Sequence, residues 1–157
     1  MELTRINSEL LELYSSKLQD LSRLYNSLDE QGLQDYTNPL LLFCHEGYIN
    51  SQKRIIFIGQ ETNKWLHEEL KSNKVLSVET INNLQYLYKD FLLSQSCKTV
   101  FWQFIYSINK KICHERIGYM WSNVLKIGKK QAKEGLIPEL LNSKTTFSTS
   151  EKRNCRY

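Results

Sequence analysis

The sequence predicts a single α/β domain built on a parallel sheet, and three observations lead to this expectation. Two short apolar runs rich in β-branched and aromatic residues, 54–58 and 117–121, have the length and composition of strands. Segments with helical spacing of apolar residues precede and separate them, and the order helix, strand, helices, strand suits parallel strands joined by crossovers. With 157 residues, of which 41% are hydrophobic, the chain can build one core of ordinary size.

The first element is an amphipathic helix over residues 3–28. Its apolar positions recur at steps of three and four, with polar residues between them: Leu3, Ile6, Leu10, Leu13, Tyr14, Leu18, Leu21, Tyr25 and Leu28. Such a stripe most simply faces the protein's own core, and the alternative is docking of a protein partner, because coiled coils use the same spacing. Gly32 and the Asn38-Pro39 pair end the helical region, so residues 1–34 form the first unit.

The α/β core is predicted over residues 35–142. Residues 40–43 form a short strand or turn beside the strand at 54–58, which we expect to be covered on both faces. Helices follow, and the apolar spacing places them at 65–70, at 79–93 with Ser77 as the N-cap, and at 100–112. The second strand, 117–121, completes this part of the fold.

Polar side chains follow both strands, and they are the candidate functional residues. Gly59 allows a sharp turn or a close approach to a ligand after the first strand, and Gln60 and Glu61 come directly after it. Ser122 and Asn123 follow the second strand in the same way. Ligands of open α/β sheets bind at the carboxyl ends of the strands. The alternative is that these residues only cap the helices that follow.

The positive charge is concentrated in the last third of the chain. The net charge is +4, but residues 110–157 hold 11 Lys or Arg against 4 Asp or Glu, whereas residues 1–109 hold 10 against 13. The densest part is formed by Lys126, Lys129, Lys130 and Lys133. Such a cluster can neutralise the phosphates of a nucleic acid, and the alternative is an ordinary solvated face.

Residues 143–157 contain few apolar residues and follow neither a helical nor a strand period, so we expect a disordered basic tail. An α/β domain ordinarily continues with further strands at this point. We therefore expect the C-terminal part of the fold to be missing.

The remaining sequence features concern location and metals. No segment has the length of an apolar membrane span, and the first residues lack the apolar run of a signal peptide, so we expect a cytoplasmic protein that does not associate with membranes. The four cysteines, Cys44, Cys97, Cys113 and Cys155, have no metal-site spacing and are expected to be reduced thiols. No cofactor or metal is predicted.

The two strand ends together resemble the uracil-DNA glycosylase superfamily over roughly residues 38–130. Strand-Gly59-Gln60-Glu61 is similar to the family's strand-borne Gly-Gln-Asp-Pro-Tyr-His motif, and the apolar strand that ends in Asn123 is similar to its second motif. The resemblance implies a Rossmann-like three-layer domain that removes a flipped base from DNA.

The resemblance also implies a role for each candidate residue. Glu61 stands at the position of the catalytic Asp and would position a water and stabilise an oxocarbenium-like transition state. Gln60 and Asn123 would bind the base, and Phe101, or alternatively Trp102, would stack on it. The four clustered lysines would hold phosphate.

The chain also departs from the family pattern. Thr62, Asn63 and Lys64 stand where the first motif has Pro, Tyr and His, and no C-terminal His-Pro-Ser-type loop is present. The sequence therefore predicts a DNA base-excision glycosylase, with a non-catalytic relative that binds nucleic acid or protein as the alternative.

Overall fold

The structure is a computed structural model that describes residues 1–30, 36–60 and 77–128. Its helices are α1 (Glu2–Ser16), α2 (Leu18–Glu30), α3 (Glu46–Asn50), α4 (Val78–Ser94) and α5 (Val100–Ile112), and its strands are β1 (Ile55–Gly59) and β2 (Tyr119–Asn123). The strands pair in parallel. This mixture of helices with a small parallel sheet is compatible with the predicted α/β class.

Both strands extend further toward their carboxyl ends than the apolar pattern predicted. β1 includes Gly59, and β2 includes Ser122 and Asn123, so the polar residues expected just after the second strand belong to it. Backbone hydrogen bonds continue the pairing past the strands, from Val124 N to Gly59 O at 2.9 Å and from Leu125 N to Gln60 O at 2.9 Å. The polar ends of the two strands therefore lie side by side.

The prediction that the first strand is covered on both faces is wrong. Ile56 and Ile58 are 45% and 60% exposed, whereas Phe57 packs against the main core. Successive strand residues point to opposite faces, so β1 is covered on its Phe57 face and open on its Ile56 and Ile58 face. In β2 both faces are buried. A short apolar strand cannot show from its composition how many layers pack on it, because those layers come from distant parts of the chain.

The main core lies between this covered face and helices α4 and α5. Trp121 is at its centre, with ring centroids 5.0 Å from that of Trp102 and 5.9 Å from that of Phe91. Around these rings pack other buried residues: Leu40, Tyr88, Leu92, Ile105, Ile117 and Tyr119. Predicted helices 79–93 and 100–112 are confirmed, and Ser77 caps α4 by accepting a hydrogen bond from Thr80 N at 3.1 Å.

The predicted single helix over residues 3–28 is two helices, separated at Lys17. The stripe faces the protein's core, as predicted, except at Leu13, which is exposed. The stripe contacts two different clusters, and the change of partner falls within α2, after Leu18. Leu11, Tyr14 and Leu18 pack against a cluster of Leu41, Ile81 and Leu84. Leu21, Tyr25 and Leu28 pack against Ile127 instead.

The segment at 40–43 forms no strand, but it is held at both sides by hydrogen bonds. Leu40 N donates to Lys126 O at 2.8 Å, and Leu42 N donates to the Tyr14 hydroxyl at 3.0 Å. The predicted helix at 65–70 and the predicted tail at 143–157 lie outside the described residues.

The helices and cysteines of the described ranges have the following properties. None of their helices is both long and apolar enough to cross a membrane. Cys44, Cys97 and Cys113 are free thiols there, and Cys155 is outside these ranges.

Two side chains form hydrogen bonds with backbone groups of β2 that do not pair with β1. The Tyr88 hydroxyl donates to Trp121 O at 2.8 Å and accepts from Trp121 N at 3.0 Å. His45 Nδ1 accepts from Tyr48 N, so the ring hydrogen is on Nε2, which donates to Tyr119 O at 2.9 Å. Burial raises the pKa of Tyr88, so the hydroxyl keeps the proton that it donates. The two side chains take the place of a neighbouring strand.

Replacing Tyr88 by Phe should destabilise the protein strongly. The substitution removes the hydroxyl that binds two buried backbone groups of Trp121, and the loss of such a partner costs about 1–3 kcal/mol for each group. Denaturant unfolding should show a loss of about 2 kcal/mol or more. Tyr86→Phe, on the exposed side of the same helix, is the control and should change the unfolding free energy little. Equal effects of the two substitutions would contradict the role given to Tyr88.

The stability should also depend on pH through His45. Burial lowers the pKa of His45 below its ordinary value of 6.5, although the bond to Tyr119 O partly opposes the shift. A lowered folded-state pKa means that the stabilisation is complete above about pH 6.5 and is lost as the pH falls through the folded pKa. The melting temperature should therefore decrease between about pH 6.5 and 5.

The His45→Gln variant isolates this contribution. It should melt at a lower temperature than the parent protein and should lose much of the pH dependence in that window, because glutamine does not titrate. His114→Gln changes an exposed histidine and should keep the dependence. The assignment to His45 fails if the parent protein and His45→Gln show the same pH profile.

Candidate functional site

The candidate site lies at the carboxyl end of the two strands, where Gly59 is in register with Asn123. A Cβ atom added to Gly59 would overlap Asn123 Oδ1. Gly59 therefore allows a close approach, and the approaching group is the Asn123 side chain, whereas the sequence predicted a turn or an approach to a ligand. The glycine allows the amide to lie directly against the neighbouring strand.

The Asn123 side chain is buried with an unused hydrogen-bond donor. The residue is 3% exposed, and its Nδ2 atom has no hydrogen-bond partner among the residues that the structure describes. A buried polar group without a partner costs about 1–3 kcal/mol and is rare in native proteins. An amide that is held in place and keeps a free donor is suited to bind a ligand with an acceptor, such as a carbonyl oxygen.

Gln60 lies beside Asn123, and its backbone and side chain have different roles. Its carbonyl accepts from Leu125 N at 2.9 Å and so belongs to the strand pairing. Its side chain is exposed. The exposed side chain of Gln60 can therefore contact a ligand, whereas its backbone carbonyl is already hydrogen-bonded.

Trp121 belongs to the site, although sequence analysis did not select it. Its Nε1 atom lies 3.4 Å from the position of a Cβ on Gly59, and its ring is part of the main core. The indole therefore connects the packing of α4 and α5 to the carboxyl end of the sheet. The sequence feature that could have identified Trp121 is its two-residue spacing from Asn123, which puts both side chains on one face of β2.

The predicted stacking residue Phe101 is separated from this site by other rings. Phe101 is 43% exposed on α5, and its ring contacts Trp102 edge-on at 5.5 Å. Trp102 in turn contacts Trp121 at 5.0 Å. The alternative residue, Trp102, is thus the one whose ring touches a residue of the site, but it is buried within the core.

Of the four lysines predicted to hold phosphate, only Lys126 is described. Its Nζ atom donates to the Ser122 hydroxyl, and burial lowers its pKa. Ser122 and Asn123 are consecutive strand residues that point to opposite faces, so the Lys126 ammonium is on the face away from Asn123. Lys129, Lys130 and Lys133 lie outside the described residues.

The predicted catalytic residue Glu61 also lies outside the described residues, directly after Gln60 in the chain. Among the side chains that the structure describes, no three His, Cys, Asp or Glu residues come together as a metal site would require. His45, the buried histidine, binds the backbone of Tyr119 instead.

Comparisons with protein-family models, with curated proteins and with solved structures find no match to this chain.

Replacing Gly59 by Ala should displace the Asn123 amide. The added methyl group overlaps Asn123 Oδ1, and overpacking of this kind costs about 1–3 kcal/mol. Denaturant unfolding of Gly59→Ala, Asn123→Ala and the double variant should show that the alanine at 59 costs less once Asn123 is absent, by about 0.5 kcal/mol or more. Additive effects would mean that the contact does not constrain Asn123.

Proposed function

We propose that this protein is a glycosylase of the uracil-DNA glycosylase type, which hydrolyses the N-glycosidic bond of a flipped uracil-like base. The observation that carries the proposal is the buried, unpaired Asn123 amide held against Gly59 at the carboxyl ends of two parallel strands. The resemblance of the Gly59-Gln60-Glu61 and Asn123 segments to the two motifs of that superfamily supports it.

The proposed substrate follows from the hydrogen-bonding capacity of Asn123. An enzyme that acts on a base must take it out of the stack and bind its polar edge in a pocket. The free donor of Asn123 matches a ring carbonyl, which uracil presents where cytosine presents an amino group. A keto-bearing base is therefore the preferred ligand, with the exposed Gln60 side chain as a second contact at the same edge.

Glu61 is the proposed catalytic group. It follows Gln60, whose carbonyl accepts a hydrogen bond from Leu125 N, so the residue directly before Glu61 has a fixed position. A carboxylate beside the sugar can orient a water for attack at the anomeric carbon and stabilise the positive charge that develops there. The base leaves with the electron pair of the broken bond, and the water supplies the hydroxyl group that remains on the sugar. The second proton of the water passes to the Glu61 carboxylate and from there to the departing base.

The finer fold belongs to the same proposal, as a Rossmann-like three-layer arrangement. Helices α4 and α5 form one layer, against the Phe57 and Trp121 face of the sheet. The opposite face carries Ile56 and Ile58, apolar residues of the kind that a second helical layer covers in such folds. Phosphate binding by Lys126, Lys129, Lys130 and Lys133, and stacking by Phe101, complete the proposed DNA contacts.

A non-catalytic binding protein with the same fold is the second candidate, and the surface of α5 favours it. Val100, Phe101, Phe104 and Ile112 are exposed along this helix. An apolar helical surface of this kind is typical of protein interaction sites. The absence of the family's third motif from the sequence is consistent with this alternative.

Base release decides between the two candidates. The purified chain is incubated with single- and double-stranded oligonucleotides that contain uracil, hypoxanthine or xanthine, and free base is measured. We expect release of uracil, reduced at least about 100-fold in Glu61→Gln because a carboxylate that activates water typically contributes this much. Asn123→Ala should lower release and weaken discrimination against cytosine.

Glu12→Gln, a matched change at an exposed residue of α1, is the control and should leave the rate unchanged. No release by a chain that circular dichroism shows to be folded would overturn the catalytic proposal. Release that persists in Glu61→Gln would leave a glycosylase but remove Glu61 from its catalytic role.

A further inference from the structure

A cavity of about 490 Å³ opens at the amino end of β2, opposite to the Asn123 site along the strand. Asn109 is buried at its base, and Tyr106 forms a half-buried wall. Four exposed residues with ionisable side chains surround the opening, namely Lys110, His114, Glu115 and Arg116. Neither the resemblance nor the proposed reaction uses any of these residues.

The backbone around the cavity is held rigidly by two amide side chains. Asn109 Nδ2 donates to Glu115 O at 3.1 Å and to Arg116 O at 2.9 Å, while Asn109 Oδ1 accepts from Gly118 N at 2.8 Å. Gln95 Nε2 donates to Arg116 O at 3.2 Å. The loop that carries the charged residues is therefore ordered before any ligand binds, which reduces the entropic cost of binding.

Two residues that line the cavity have left-handed backbone conformations. Gln95 has φ 47° and His114 has φ 58°, and each follows the end of a helix, where glycine is the usual residue. Gln95 uses its side chain to bind Arg116 O. No hydrogen bond or ion pair joins the His114 side chain to another described residue. His114 therefore has a backbone conformation that is unfavourable for a residue with a side chain. Its imidazole lines the cavity and binds no other described residue.

The charges around the opening favour an anion. Lys110 and Arg116 outnumber Glu115, and in the part of the chain that the structure describes no ion pair neutralises any of the three. Arg and Lys together are typical of phosphate recognition, because the guanidinium group offers a fork of donors and the ammonium a compact charge. The volume exceeds that of a bare phosphate and is in the range of small-molecule sites.

The geometry points to a binding site for the phosphate group of a nucleotide, with Lys110, His114 and Arg116 as its ligands and Tyr106 beside the attached ring. The nucleotide is either free or part of a nucleic acid strand, and both sources present the same phosphate chemistry. A simpler reading is that Lys110 only offsets the negative C-terminal end of the α5 dipole. Lys111, the next residue of the same helix, would do so equally but does not line the cavity.

The experiment is a titration of the ¹⁵N-labelled full chain with adenosine monophosphate, adenosine and a pentadeoxynucleotide, followed by the amide resonances of residues 110–118. We expect saturable shifts with a phosphate-bearing ligand and none with adenosine. Lys110→Gln and Arg116→Gln should each weaken binding about fivefold or more, since each removes one charged contact. Lys111→Gln is the matched control and should bind as the parent protein does, whereas Glu115→Gln should bind more tightly.

Each outcome decides the proposal. Binding of adenosine monophosphate identifies a free nucleotide as sufficient, and binding of the oligonucleotide alone identifies a strand phosphate as the ligand. The proposal is overturned if neither ligand gives saturable shifts, if adenosine binds as well as its monophosphate, or if Lys111→Gln weakens binding as much as Lys110→Gln. Failure of base release would not affect this result, because the cavity is at the other end of β2 from Asn123.

Discussion

The paired hydrogen bonds between the Tyr88 hydroxyl and the backbone of Trp121 are the interaction on which the described core depends. Among the residues that the structure describes, β2 pairs with a strand on one side alone, and its buried backbone groups on the other side need hydrogen-bond partners for the strand to remain buried. Tyr88 supplies both a donor and an acceptor from α4, and His45 supplies a donor to Tyr119 O. A helix and a loop residue thereby replace a third strand.

This constraint extends from the core to the candidate site. Tyr88 fixes the Trp121 backbone, and the Trp121 indole packs against α4 and α5 while its nitrogen lies close to Gly59. Two residues later on the same face, Asn123 is held against Gly59 with a buried donor unused. The packing of aromatic rings therefore fixes the position of the Asn123 amide, and a fixed amide presents its hydrogen-bonding groups in one orientation.

The described surface has apolar regions that are covered by packing and others that are exposed to solvent. The Phe57 face of the sheet is covered by helices, whereas Ile56 and Ile58 on the other face and Phe104 on α5 are exposed. The polar features also separate, because the Asn123 amide is at the carboxyl end of β2 and the basic cavity is at its amino end. One short strand thus connects two chemically distinct surfaces, a hydrogen-bonding edge and a cationic opening.

The sequence by itself determined the two strands, helices α4 and α5 with the Ser77 cap, and the placement of Gly59 and Asn123 at strand ends, because these follow from local periodicity and composition. Only the tertiary structure decided the break at Lys17, the exposure of Ile56 and Ile58, and the contacts of Tyr88, Trp121 and His45. Those features depend on residues far apart in the chain, as in the bond from His45 to Tyr119 O. The local spacing of residues does not indicate which distant group will form a hydrogen bond with a given backbone group.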